Sequence, residues 1–236
     1  MTSSQTVINL GSKEEAFSQG GNRLIFLDPD NTARCIKVLR ADRLPELKRR
    51  EKSFPSNLKP LSAFDDNLQE YKTFKLIENT IGQAAFSLIP YCYGFVETNH
   101  GRGILTELIK DEDGKISISL KQYVWQFGFN NELKRALAEF QRRWQELGIP
   151  SRNLLLHNIV VQQDDSDIKR LVVIDGLGWP DLLPLAYWFQ PLGRRKAQRK
   201  VTRLNHAIDR LLEKKSNNEA WGYHGWLEEE QRIIHE

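Results

Sequence analysis

Two side chains that could hold a hard cation stand at the ends of one predicted hairpin. The apolar runs at residues 159–161 and 171–174 flank a polar segment, a pattern typical of two strands joined by a turn. Asn158 precedes the first strand and Asp175 follows the second, so both reach the same end of the hairpin. Such oxygen ligands suit Mg²⁺, which completes its shell with phosphate and water. Both residues are also ordinary turn residues, so a plain turn is the alternative interpretation.

The segment before the hairpin has the spacing of a kinase catalytic loop. Protein-kinase-like enzymes carry His-Arg-Asp-Leu-x-x-x-Asn, then a hairpin, then Asp-Phe-Gly. Residues 151–158 read Ser-Arg-Asn-Leu-Leu-Leu-His-Asn, so Asn153 stands where the catalytic aspartate is expected, and Asp175 is followed by Gly-Leu-Gly. The pattern predicts a carboxamide and a carboxylate that hold Mg²⁺ against nucleotide phosphates, without the base that accepts a hydroxyl proton.

Two glycines and a lysine in the N-terminal part match other positions of the protein-kinase pattern. Gly20 and Gly21 lie between two predicted strands, where backbone amides could approach a phosphate without a Cβ in the way, although plain hairpin turns have the same residues. Lys37 interrupts the apolar run at residues 35–39, so it lies at a solvated edge or faces an anion. In a kinase-like site this lysine pairs the α- and β-phosphates and is held by a helix glutamate.

A predicted amphipathic helix at residues 66–78 supplies a candidate for that glutamate. Its apolar stripe has a spacing of three and consists of Leu68, Tyr71, Phe74 and Ile77. Glu70 borders the stripe, so it either turns inward towards Lys37 or stays solvated. Because both charged residues lie at the edge of apolar runs, their replacement is predicted to leave the protein folded.

The elements that would position these residues predict an α+β fold with two lobes. A second pair of strand-like runs ends before a charged turn at residues 110–115, where a hinge is expected with the backbone groups of Glu107 to Ile109 free to pair with an adenine edge. Helices at residues 120–127 and 131–147 then lead into the loop described above. The prediction is a protein-kinase-like fold with a small β-rich lobe at residues 1–109 and a larger, mainly α-helical lobe at residues 110–236.

Composition restricts the setting of the protein. The chain has 236 residues, 40% hydrophobic and 28% charged, as in ordinary globular proteins, and its net charge of +3 is too small to predict nucleic-acid binding. Cys35 and Cys92 both lie in apolar strand-like runs, which predicts buried thiols in a reducing compartment and no disulfide framework. No apolar run is as long as a membrane span and the N-terminus has no signal core, so a cytoplasmic location is expected.

A basic segment from Arg194 to Arg203 contains no acidic residue. Most such segments are solvated helix faces. The alternative is a docking surface for an anionic partner, such as a phosphorylated substrate, a nucleic acid or a membrane lipid.

Together these motifs resemble the PhoP-regulatory-network protein YrbL family, a bacterial branch of the kinase-like superfamily. The resemblance extends from about Phe17 to about Arg203 and rests on the order and spacing of three short motifs, Arg34-Cys35-Ile36-Lys37-Val38, Asn158-Ile159 and Asp175-Gly176-Leu177-Gly178. It implies a two-lobed kinase-like fold in a bacterial protein connected to an envelope-stress or cation-responsive regulon.

The resemblance also assigns roles to positions of this sequence. Lys37 would pair the nucleotide phosphates with Glu70 as its helix partner, Asn158 and Asp175 would be the Mg²⁺ ligands, and the phosphate-covering loop would contain Gly20 and Gly21. The sequence departs from active kinases at Ser151, Asn153 and Gly176, and it lacks a full Gly-x-Gly-x-x-Gly and an Ala-Pro-Glu motif.

Two functions remain open at this point, beside a third possibility, an interaction protein that only retains the fold. The first is an ATP- and Mg²⁺-dependent phosphotransferase acting on an unidentified small molecule or protein, with Lys37, Asn153 and Asp175 in the catalytic positions. The second is a pseudokinase-type regulatory module that holds nucleotide and presents a surface to a protein partner. Phosphoryl transfer relies mainly on positioning and charge neutralisation, so the absence of the base does not exclude the first.

Overall fold

The computed structural model describes residues 6–165, 167–178, 190–222 and 224–234, and these residues form a mixed α+β structure. The predicted α+β class is therefore confirmed. The strands are β1 (Ser18–Gln19), β2 (Arg23–Leu27), β3 (Arg34–Leu39), β4 (Cys92–Thr98), β5 (Gly101–Glu107), β6 (Ile159–Gln163) and β7 (Ile168–Val173). The helices are α1 (Pro45–Arg50), α2 (Asp66–Thr80), α3 (Leu120–Phe127), α4 (Asn131–Leu147), α5 (Gln190–Ser216) and α6 (Glu229–Arg232).

The chain forms two compact units, Met1–Phe74 with Tyr91–Leu108 and Lys75–Pro90 with Ile109–Glu236. The sequence predicted one division at residues 109/110, with everything before it in the first part. The segment Lys75–Pro90 instead belongs to the second unit because it pairs with β7. The backbone N–H of Val173 donates to the carbonyl of Leu88 at 2.8 Å, and the Arg170 guanidinium donates to the carbonyl of Phe86 at 3.0 Å.

The first unit contains a five-stranded antiparallel sheet in the order β1-β2-β3-β5-β4. Its apolar core consists of Leu10, Leu24, Phe26, Ile36, Val38 and Leu105. Both cysteines are free thiols; Cys35 is buried as predicted and Cys92 is half-buried. Burial raises the pKa of the Cys35 thiol, which makes this residue a poor nucleophile.

Helix α2 buries a different face from the one that the sequence predicted. Asp65 caps its first turn by accepting from the backbone N–H of Leu68 at 2.9 Å. The buried positions include Asn67 and Glu70 as well as the expected Phe74 and Ile77, whereas Leu68 and Tyr71 are only half-buried. The helix is therefore rotated by about one position from the predicted stripe, and Glu70 lies inside.

The second unit contains α3, α4, α5 and the hairpin of β6 and β7. Helix α4 begins at the cap residue Asn130, ends at Gly148 in the left-handed conformation, and packs on α5 and β7. The hairpin predicted from the sequence is present and antiparallel, with Ile159 opposite Val173. The basic segment lies on α5, whose stripe of Ala197, Val201, Leu204, Ile208 and Leu211 is buried.

The C-terminal segment of the second unit is bound along residues 115–122. Gln122 makes two hydrogen bonds of 2.9 Å to the backbone of Leu227, and Arg232 bonds the carbonyl of Ile116 at 2.9 Å and Asp111 at 2.9 Å. Among the described residues, no helix is long and apolar enough to cross a membrane.

Candidate functional site

A buried ion pair joins β3 to α2 in the first unit. The Nζ atom of Lys37 lies 2.8 Å from Oε1 of Glu70, and each residue is only 5% exposed. Asn67 anchors the helix here, because its side-chain nitrogen donates to the backbone carbonyl of Lys37 at 2.9 Å. Of the two alternatives that the sequence left open for each residue, the structure has Lys37 facing an anion and Glu70 turned inward towards Lys37. The central residues of β3 are buried on both faces, so a lysine among them is buried whichever face it takes.

Arg23 is a second cation on the same carboxylate, and sequence analysis did not identify it. Its guanidinium contacts Oε2 of Glu70, and Arg23 is itself buried. The sheet register explains the placement, since Ile25 is opposite Lys37 and side chains two apart on a strand share a face. The sequence signal was an arginine two residues before Ile25. Using that signal requires knowing the strand register, which the sequence does not show. We call Arg23, Lys37 and Glu70 the buried charge cluster.

Gly20 and Gly21 form the tip of the hairpin between β1 and β2. The backbone N–H of Gly20 donates to the carbonyl of Arg23 at 2.9 Å. A Cβ on Gly20 would come no closer than 3.8 Å to another group, and one on Gly21 would meet nothing within 4 Å. No neighbouring group of the protein therefore requires glycine at either position. The contact of Gly20 and Gly21 with a phosphate remains a prediction.

The backbone from Glu107 to Ile109 is less available than the sequence predicted. The N–H of Glu107 donates to Tyr91 at 2.8 Å, the N–H of Leu108 donates to Ala33 at 2.9 Å, and the carbonyl of Ile109 accepts from Ser117 at 3.0 Å. The expectation of free groups is wrong for these three, because the end of β5 continues to pair beyond the last residue of the strand. The assignment of Glu107 and Ile109 to an adenine edge stays a prediction.

In the second unit, Asn158 and Asp175 stand at the open end of the hairpin. The backbone N–H of Ile174 donates to the carbonyl of Asn158 at 2.9 Å, which brings the two chain segments together beyond the last ladder pair. Both side chains are half-buried. The placement predicted for these two residues at one end of the hairpin is therefore present.

Gly176 lies at this end of the hairpin and contacts the loop that contains Asn153. It has a φ of +81°, and a Cβ there would lie 2.9 Å from the backbone oxygen of Asn153 and 3.1 Å from the side-chain nitrogen of Asn158. Its carbonyl accepts from the N–H of Arg152 at 2.8 Å. Glycine is thus required for both conformation and space. We call Asn153, Asn158, Asp175 and Gly176 the loop site.

A lysine from α5 contacts the loop site at Asn153. The Nζ atom of Lys200 lies 3.3 Å from Oδ1 of Asn153 and donates to the backbone carbonyl of Arg152. Asn153 is exposed, as the residue that meets a substrate hydroxyl would have to be. Sequence analysis placed Lys200 only within a basic segment, because 47 residues separate it from Asn153.

Comparison with known proteins is decisive for the family. A model of the PhoP regulatory network protein YrbL matches residues 8–209, which include the buried charge cluster and the loop site. The chain belongs to the PhoP regulatory network protein YrbL family. The resemblance to this family is therefore confirmed. Two relatives are the uncharacterized protein YrbL of Escherichia coli (strain K12) and that of Shigella flexneri, each 28% identical over 193 residues, which is 80% of this chain and 82% of the relative.

The ligand chemistry of the loop site in this YrbL-family member fits a hard cation that is only partly coordinated by protein. Asn158 and Asp175 offer a carboxamide and a carboxylate oxygen at one end of a rigid hairpin. The described part of the chain contains no group of three or more His, Cys, Asp or Glu side chains arranged to hold a metal ion. Mg²⁺ usually takes one or two protein carboxylates plus phosphate oxygens and water, so this pair is sufficient for it.

His157 lies next to Asn158 and faces the C-terminal segment. Its ring is 5.6 Å from that of His224, and a Cβ on Gly225 would lie 2.5 Å from the Cβ of His157. Burial lowers the pKa of His157, the positive charges of His224 and Lys121 lower it further, and Asp175 opposes them. In the folded protein, His157 therefore favours the neutral imidazole form.

We expect the free energy of unfolding to decrease as the pH falls from about 7 to about 5, in part because of His157. Its pKa is below the ordinary value of 6.5 in the folded state, so the unfolded state binds more protons in this window and acid favours unfolding. Above the unfolded pKa both states are neutral and the contribution vanishes. Urea unfolding at both pH values should show a smaller loss for His157→Gln than for wild type.

The matched control is His206→Gln, which changes an exposed histidine on α5. This variant should keep the pH dependence of wild type. An identical dependence in wild type and His157→Gln would contradict the prediction.

Proposed function

We propose that this protein is a two-lobed, protein-kinase-like protein that binds ATP together with Mg²⁺. The observation that carries the proposal is the buried pair of Lys37 and Glu70. A lysine on the third strand held by a glutamate on a helix later in the chain is the arrangement that positions the phosphate-pairing lysine of kinases. A buried lysine is costly without such a carboxylate, so the pair supports a role that needs the charge in that place.

Each unit contributes a part of the proposed chemistry. In the first unit Lys37 donates to phosphate oxygens, and Glu70 holds its ammonium group in position with Arg23 on the other carboxylate oxygen. In the second unit Asn158 and Asp175 would hold Mg²⁺, which neutralises charge on the phosphates. Gly176 leaves room for the backbone oxygen of Asn153 and the side-chain nitrogen of Asn158, which a Cβ at this position would approach to 2.9 Å and 3.1 Å.

Asn153 decides between the two forms of the proposal. Its carboxamide can orient a hydroxyl group by accepting a hydrogen bond, but it cannot take the proton. Under the first form, a phosphotransferase with an unidentified small-molecule or protein acceptor, the hydroxyl is positioned by Asn153 and loses its proton to water. The ammonium group of Lys200 then adds positive charge beside it.

The second form is a pseudokinase-type regulatory module that binds nucleotide without transferring phosphate to a substrate. It is favoured by the contact of Asn153 with Lys200, which occupies the oxygen that would meet an acceptor. The family description as a PhoP regulatory network protein also fits a regulatory role. Under either form we place the protein in the cytoplasm, where its two free thiols stay reduced.

Nucleotide binding is the first test. With ATP and Mg²⁺ at about a hundred times the dissociation constant, the folded state gains about 2.7 kcal/mol. For a chain of this size that corresponds to a rise of about 5–10 °C in Tm. Asp175→Asn should remove the Mg²⁺-dependent part of the rise and leave the shift with ATP in excess EDTA unchanged.

Asp165→Asn is the matched control, because Asp165 is exposed on the turn of the same hairpin. It should retain the full Mg²⁺-dependent shift. A wild-type protein whose Tm does not move with any nucleoside triphosphate at millimolar concentration would overturn the proposal.

A further inference from the structure

The second unit contains a basic cavity beside the loop site. Its volume is about 150 Å³, and it lies between residues 148–151 and the N-terminal half of α5. Four of the residues that line it are cations, namely Lys196, Arg199, Lys200 and Arg203, and no carboxylate is among the described residues of its wall. A wall of this composition attracts an anion.

Helix geometry explains why only part of the basic segment faces the cavity. The four cations have the spacing i, i+3, i+4 and i+7, which places them on one face of α5. Arg194 and Arg195 are not part of the wall, and Arg194 instead donates to the backbone carbonyl of Glu146 at 3.1 Å. The sequence predicted that an anionic partner contacts the segment from Arg194 to Arg203. The cavity restricts that contact to the four residues on this face.

Ser151 provides an independent indication of a ligand. It lines the cavity, it is only 7% exposed, and its Oγ atom has no hydrogen-bond partner among the described residues. A buried hydroxyl group without a partner carries the full cost of its desolvation. A ligand oxygen in the cavity would accept a hydrogen bond from it and remove that cost.

We propose that this cavity binds the phosphate group of a small phosphomonoester. A cavity needs roughly 10–15 Å³ to hold one water, so this one has room for a larger group. Tetrahedral phosphate oxygens can accept charge-assisted hydrogen bonds from several cations and a bond from Ser151 at once. The recess between a loop and a helix encloses a single group, whereas a duplex or a bilayer presents a broad surface. This binding site does not depend on the proposed nucleotide binding.

The position of Lys200 gives the site a consequence for the loop. Lys200 lines the cavity and also contacts Asn153 and the backbone of Arg152. A phosphate group in the cavity therefore competes for the ammonium group that lies on Asn153. The bound ester would release the carboxamide oxygen of Asn153.

Isothermal titration with inorganic phosphate and with glycerol 3-phosphate, at constant ionic strength and without nucleotide or Mg²⁺, tests the site. We expect the ester to bind at millimolar concentration or tighter. Lys196→Gln with Arg203→Gln should weaken it at least about tenfold, because each charge-assisted bond is worth about that factor. The charge-matched control, Arg195→Gln with Arg210→Gln on the same helix, should stay within about twofold of wild type.

Ser151→Ala separates a ligand contact from a structural role. It should weaken the ester several-fold and leave Tm without ligand unchanged or higher, because the deleted hydroxyl has no partner. The proposal is overturned if wild type binds neither probe, if the control pair weakens binding as much as the cavity pair, or if inorganic phosphate alone binds. Binding only to an RNA duplex or to anionic vesicles would also overturn it. Ester binding without any response to ATP would support this site and refute the nucleotide proposal. A response to ATP without ester binding would refute this site alone.

Discussion

Glu70→Gln is expected to lower the free energy of unfolding by about 3–5 kcal/mol, since removing one partner of a buried ion pair leaves an uncompensated buried charge. Here two cations are affected, because Lys37 and Arg23 both contact the carboxylate. Lys37→Met should cost less, since Glu70 then keeps Arg23. The sequence predicted only that replacing either residue leaves the protein folded.

Guanidinium chloride unfolding measures both losses. The control is Glu78→Gln on the same helix, whose carboxylate forms only a surface pair with Lys75 at 2.8 Å. It should change the free energy of unfolding by less than about 1 kcal/mol. The double variant Lys37→Met with Glu70→Gln should lose less than the sum of the single losses, because the two residues interact directly. A loss in Glu70→Gln no larger than that in Glu78→Gln would contradict the assignment of a buried charge cluster.

Asn153→Asp is expected to accelerate phosphoryl transfer if the loop site is otherwise complete. A positioned base is typically worth about 10²- to 10⁴-fold. The gain should fall near the lower end of this range, because the ammonium group of Lys200 would lower the pKa of the new carboxyl group and weaken it as a base. Stability should change by less than about 1 kcal/mol, since Asn153 is exposed and the new pair with Lys200 would be near the surface.

Single-turnover hydrolysis of ATP measures the effect, with water in place of the acceptor hydroxyl. Asn217→Asp, an exposed position at the end of α5, adds the same charge and should leave the rate unchanged. An Asn153→Asp variant that binds nucleotide but hydrolyses it no faster would favour the regulatory module. Equal rates for wild type and Asn153→Ala would show that residue 153 does not contact the reacting group.

Local patterns were sufficient for the hairpin and for the helices that surround it. Alternation of apolar and turn residues placed Asn158 and Asp175 at one end of β6 and β7, because a hairpin joins neighbouring segments and leaves little choice of partner. The helix predicted at residues 131–147 likewise matches α4, whose one clearly apolar face includes the buried Phe140 and Trp144.

The same reasoning failed for α2 because its buried face is partly polar. An apolar stripe cannot show that Asn67 and Glu70 are buried when the groups that they contact, the Lys37 carbonyl and the two cations, come from the sheet. Periodicity reports where apolar side chains are, whereas burial of a charge depends on a partner far along the chain.

The sequence by itself determined the α+β class, the family, and the positions of Lys37, Asn158 and Asp175 on their strands and turns. Only the tertiary structure decided that Arg23 shares Glu70 with Lys37, that Lys200 contacts Asn153, and that Ser151 closes a basic cavity. It also decided that the backbone near Glu107 is already paired. The physical reason is that a local pattern sets which way a side chain points along its own element, while contacts between distant elements depend on register and packing, which no short stretch of the chain encodes.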